Sequence, residues 1–178
     1  MRRGLPIVGL LGAATMASAA TAIYGIGRRP SSEEVSAADI SIAPNGAGLP
    51  VGHGSSAEGA ALYQSMCMAC HGPRGEGLGD FPALVGGRGS LRTAKPVLTV
   101  GSYWPYATTL WDYIRRAMPY LTPGVLPAND VYALTAFVLQ MNGVIEADMV
   151  LTEKTLPYVQ MPNRDGFVAD PRPDVRPR

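Results

Sequence analysis

The residues best suited to chemistry form one pentapeptide, Cys67-Met68-Ala69-Cys70-His71. The C-x-x-C-H spacing is that of covalent c-type haem attachment. It puts both thiols on one helical turn, where they can add to the vinyl groups of one porphyrin edge. His71 follows at once and can reach the iron as the proximal ligand. The competing chemistries are a redox dithiol and a zinc site. A four-ligand zinc site would consume Cys67, Cys70, His71 and the only other histidine, His53. A thioredoxin-like dithiol belongs in a βαβ pattern, and the sequence has none. No other cysteine competes for the role.

An iron that carries electrons needs a second strong axial ligand, and a methionine thioether opposite a histidine raises the potential. Met66 and Met68 lie too close to the attachment turn, and Met141 falls in a helical core stripe. Met118 sits at a helix end just before Pro119, where a side chain can turn over the haem without distorting a helix. We therefore expect Met118 as the distal ligand, with Met149, Met161 or His53 as the alternatives. The haem propionates need donors or charge partners. Arg88 and Trp104 are the candidates, because buried guanidinium and indole N–H groups themselves need acceptors. His71 and Met118 together leave no open iron position. That pattern favours outer-sphere electron transfer over oxygen chemistry or gas sensing.

These side chains must be positioned by helices. Ser55-Ser56-Ala57-Glu58 fits a capping box. Leu62, Met66 and Ala69 form one stripe of the helix that it starts. Gly59 on that helix is expected to mark close packing against another helix, since mid-helix glycine otherwise costs about 1 kcal/mol. Gly72 to Gly79 break the helix, and residues 81–107 read as a haem-wrapping loop with one short turn. A second helix is expected to start at Thr109-Leu110-Trp111-Asp112, with Asp112 favourable in its first turn, Leu110, Ile114 and Ala117 as its apolar stripe and Pro119 as its stop. The last helix is expected over Val131 to Met141, capped by Ala128-Asn129-Asp130 and ended by Asn142-Gly143.

The 178-residue chain has 47% hydrophobic but only 16% charged residues, with 21 Gly and 16 Pro. That balance implies a small core with long irregular segments. A net charge of +1 gives no electrostatic case for nucleic acid or for a polybasic membrane surface. Arg2-Arg3, an apolar stretch from Leu5, and Ala17-Ser18-Ala19 or Ala20-Thr21-Ala22 read as an export signal over residues 1–22. The uncharged run from Leu5 to Gly27 is also long enough to serve as an uncleaved membrane anchor. Either way the rest of the chain is expected in the periplasm, where haem is attached to such motifs in bacteria. Residues 23–54 read as an extended arm, with Ser31-Ser32-Glu33-Glu34 capping a short helical turn. Residues 55–143 form the monohaem domain. Residues 144–178, rich in proline, read as an extended tail without a core element.

Gly59-x-x-Leu62-Tyr63-x-x-x-Cys67-x-x-Cys70-His71-Gly72 resembles the first helix of class I cytochromes c. The resemblance implies an all-α fold, with the first and last helices crossing at Gly59 against Tyr132 or Phe137. A wider resemblance runs through Gly101-Ser102-Tyr103-Trp104-Pro105-Tyr106-Ala107, Asp112 to Pro119, Asp130 to Ala136, and Met161-Pro162-Asn163-Arg164-Asp165-Gly166-Phe167. It is similar to the cytochrome subunit of the Sox sulfane dehydrogenase and to the haem subunits of bacterial sulfite dehydrogenases. This implies one haem c, a molybdenum-cofactor partner subunit that does the catalysis, and a soluble cytochrome c as acceptor. Sox subunits often carry a second haem domain, whereas this chain has one C-x-x-C-H. The tail, with Arg164 and Phe167, would then wrap the catalytic subunit. The alternative is a free-standing shuttle serving another dehydrogenase or an oxidase.

Overall fold

The computed structural model describes residues 26–172. The export signal or anchor over residues 1–22 lies outside them. Among the described residues no helix is long and apolar enough to cross a membrane. The chain divides into two units, Met1–Ala38 and Asp39–Arg178. In the first, helix α1 (Ser32–Ala38) buries no side chain. Its N-terminus is held by Ser31, whose hydroxyl accepts from Glu34 N at 3.3 Å while Ser31 N donates to the Glu34 carboxylate at 2.8 Å.

The second unit is built around one buried helix. Its elements are β1 (His53–Ser55), α2 (Ser56–Met66), the single turn α3 (Met68–His71), α4 (Ala107–Ala117), α5 (Ala128–Met141) and β2 (Val150–Thr152). Short 3-10 turns lie at Ser90–Arg92 and Leu156–Tyr158. In α5, Val131 through Ala136, Val138 and Leu139 are all buried. A helix that is apolar nearly all round must be covered on several sides. α2 covers one side, α4 another, and the β1–β2 ribbon a third.

α2 starts with the expected capping box. Ser55 Oγ accepts from Glu58 N at 3.3 Å, and Ser55 N donates to the Glu58 carboxylate at 2.8 Å. The α2–α5 crossing falls at Gly59. A Cβ there would lie 2.0 Å from the Ala133 carbonyl oxygen and 2.8 Å from Phe137 Cβ. Of the two aromatics expected at this crossing, Phe137 is the partner, and its ring also packs on Tyr63 at 5.2 Å. Tyr132 instead stands over Gly52, and its hydroxyl donates to the Pro50 carbonyl at 2.9 Å.

Several expectations are corrected. α4 begins two residues early, at Ala107, so Asp112 is not in its first turn. Asp112 is buried in mid-helix and accepts from Arg116 Nε at 2.9 Å, one turn on. α5 begins at Ala128 after Pro127, with no side-chain cap. The arm is not extended throughout, because Ile42 is buried in the core. The largest correction concerns the tail. Ile145, Leu151, Leu156, Val159 and Met161 are buried in the same core as α5. β2 pairs antiparallel with β1, matching Gly54 to Leu151. Gly54 lets β1 lie close against α5, since a Cβ there would lie 2.2 Å from Ala133 N.

Candidate haem-binding site

α2 runs directly into the attachment turn. Cys67 closes α2 with its N–H on the Tyr63 carbonyl at 2.9 Å. Cys70 N and His71 N both donate to the Cys67 carbonyl, at 3.1 and 2.9 Å. Gly72 then turns the chain away at φ 79°, a conformation that disfavours any side chain. The Tyr63 hydroxyl locks that exit by donating to the Gly72 carbonyl at 2.8 Å.

Cys67, Cys70 and His71 open onto a cavity of about 400 Å³. Its volume lies in the range of cofactor sites, which are concave and mostly apolar. Met118 and Trp104 line the same cavity. Met118 arrives because α4 ends there, with its backbone turning to an extended conformation. Leu110 and Ile114, expected to pack in the core, form the α4 wall of the cavity, and Leu134 and Val138 form the α5 wall. None of the lining residues is Asp, Glu, Lys or Arg.

The chemistry of this set fits haem c. His71 Nδ1 lies 2.9 Å from the Pro82 carbonyl oxygen. A carbonyl can only accept, so the proton sits on Nδ1 and Nε2 remains free to bind a metal. Such an outer hydrogen bond fixes the tautomer and orientation of a metal-binding imidazole. Burial, with the neighbouring Cys70, pushes the Cys67 thiol up to about 11. A redox dithiol needs the opposite, a lowered thiol that ionises readily. Among the described residues, no group of three or more His, Cys, Asp or Glu side chains could hold a metal ion by itself. His53 stands exposed on β1, outside the cavity lining.

The other expected site residues separate. Met149 is exposed, Met161 is buried in the core, and neither lines the cavity. Arg88 does not reach the cavity either. Its guanidinium donates to the Asn142 carbonyl at 3.2 Å, serving the C-terminal end of α5. Trp104 lines the cavity edge-on to Tyr113, with ring centroids 5.6 Å apart. Tyr113, Tyr120 and Phe81 also line it, and sequence reasoning missed all three. The signal for Tyr113 was present: it follows Leu110 by three residues on a helix and so shares its face. The Pro82 carbonyl left no signal, because any carbonyl of the loop could have served.

Comparison with known proteins follows the same lines. The family model for "Cytochrome C oxidase, cbb3-type, subunit III" matches residues 54–138. The crystal structure of the sulfane dehydrogenase SoxCD from Paracoccus pantotrophus is similar at 46% identity, with a TM-score of 0.76. That match covers 85% of this chain and 74% of the other. Thiosulfate dehydrogenase TsdBA from Marichromatium purpuratum matches at 28% identity and a TM-score of 0.37, over 48% of this chain and 17% of the other. No curated protein matches. With the attachment turn, the cavity and the SoxCD likeness together, the chain belongs to the class I c-type cytochromes, in the family of the SoxCD cytochrome subunit, and carries one covalently bound haem c.

Proposed function

We propose that this chain is the electron-transfer subunit of a molybdenum-cofactor dehydrogenase that oxidises a sulfur compound outside the cytoplasmic membrane. In this reading it passes the electrons to a soluble cytochrome c. The observation that carries the reading is the 46% identity to SoxCD over 85% of the chain. The export-type N-terminus supports the compartment.

Each side chain has a place in this reading. Cys67 and Cys70 hold the cofactor through thioethers, so it cannot be lost during repeated docking. His71, oriented by Pro82, would hold the iron through Nε2. Met118, lining the same cavity, would hold it through its thioether. Trp104, beside Tyr113, is the donor nearest in kind to what a propionate needs. Bound haem c supplies a one-electron couple. The uncharged lining raises its potential by favouring the less charged reduced form.

The test is to tag the chain in its own organism and purify it under mild conditions. Molybdenum and haem should co-elute, and added sulfite or thiosulfate should reduce the haem. A haem protein that elutes alone, and that neither substrate reduces in the whole extract, would sink the proposal in favour of a free shuttle.

A further inference from the structure

The segment Met161 to Phe167 is unusual for a tail. Met161 is buried, at 3% exposure. Two successive turns follow, with Arg164 N on the Met161 carbonyl and Gly166 N on the Asn163 carbonyl, both at 3.1 Å. Three side chains of this double turn reach the loop that precedes α4. Asn163 Nδ2 donates to the Tyr103 carbonyl at 2.7 Å. Phe167 packs edge-on against the Tyr103 ring, with centroids 5.2 Å apart. The Arg164 guanidinium lies 4.7 Å from the Tyr106 ring centre, within cation–π range. These contacts fall at Tyr103 and Tyr106, on either side of Trp104 in the sequence, and Trp104 lines the cavity.

We propose that Asn163, Arg164 and Phe167 are positioning residues: a clasp that holds the Trp104 loop against the haem. The inference rests on the haem reading of the cavity. The clasp acts on the cofactor only through Trp104 and Tyr106. Tyr106 is also the residue from which α4 starts, and α4 ends at Met118. Gly166 belongs to the device, because a Cβ there would lie 1.8 Å from Asn163 Oδ1. Any side chain at 166 makes the Asn163 amide shift, which disturbs its bond to Tyr103. Arg164 and Phe167 therefore serve this chain's own pocket wall, a role separate from docking a partner. Loosening the wall lets water reach the haem edge. Water favours the oxidised iron, which carries the extra positive charge, so the potential falls.

The test compares purified holoprotein with the Asn163→Ala, Gly166→Ala and Phe167→Ala variants, reading the reduction potential, the indole fluorescence and the thermal midpoint. Haem quenches a nearby indole, so release of Trp104 should raise the fluorescence. That rise should vanish when Trp104→Phe is added. The expected result is a several-fold shift toward the oxidised form in both Asn163→Ala and Gly166→Ala. A tenfold shift would be about 59 mV for a one-electron couple. Unchanged potential and fluorescence would overturn the clasp. So would a lower melting point with both readouts unchanged, since that is plain packing. Phe167 is half exposed, so Phe167→Ala should fold and keeps the test decisive if Asn163→Ala does not. Haem absorbance of the unaltered protein tests the cavity reading separately, because its absence would fail that reading rather than the clasp.

Discussion

In the proposed reading, Met118 is the side chain that decides what the iron can do. It leaves α4 at the first non-helical residue and turns into the cavity that His71 also faces. Replacing it by alanine keeps the backbone and removes the thioether. Met118→Ala should bind carbon monoxide readily in the reduced state and shift toward the oxidised form, because a thioether favours the reduced iron. The reduced spectrum with and without carbon monoxide checks this, and an unchanged spectrum would rule Met118 out as a ligand. This residue could be singled out from sequence because a methionine before a proline at a helix end is a local pattern. Arg88 is not legible in the same way. A guanidinium in a loop can serve any acceptor in reach, and only the fold shows that its acceptor is the Asn142 carbonyl.

At the level of elements, the α2–α5 crossing is the joint that holds the attachment turn beside the α5 cavity wall. Alanine normally favours a helix over glycine by about 1 kcal/mol. At Gly59 the sign should reverse, because the new Cβ would meet the Ala133 carbonyl at 2.0 Å and the two backbones must part. Overpacking of this kind costs about 1–3 kcal/mol. Gly59→Ala should therefore lower the thermal midpoint by several degrees; a rise would show that the crossing is looser than this. The capping box of α2 gives the same helix a pH dependence. Hydrogen bonds from Ser55, helped by the charge of His53, hold the Glu58 carboxyl below its ordinary value of 4.5. Its stabilisation is thus present above that value and fades as the pH falls through the lowered one. Thermal midpoints across acidic pH should fall less steeply in Glu58→Gln, and parallel profiles would contradict this. Capping and glycine spacing were legible because they are local. The early start of α4 was not, since Asp112 resembles a first-turn acid until its pairing with Arg116 is seen.

For the whole molecule, the boundary of the folded unit lies well past the last helix. Periodicity could not show this. Ile145, Leu151, Leu156, Val159 and Met161 are spaced irregularly, in a segment with prolines, and have no helical or strand repeat to betray them. They become core only because β1 gives β2 a partner and α5 offers its remaining faces. The magnitude is decisive. Each such side chain contributes about 1.5–3 kcal/mol on burial, so five contribute about 7–15 kcal/mol as an upper bound. A whole domain is stable by only about 5–15 kcal/mol. Ending the chain at Gly143 should therefore leave a protein that does not hold its haem site, even though every expected ligand is retained. Ending it at Val168 keeps the five core residues, β2 and the contacts of Asn163, Arg164 and Phe167. That form should match the full chain in thermal midpoint and haem absorbance. If it also loses co-purification with a molybdenum subunit, the docking function of the tail lies beyond Val168. If the Gly143 form retains both the midpoint and the absorbance, the burial of the tail contributes little, and the folded unit ends with α5 after all.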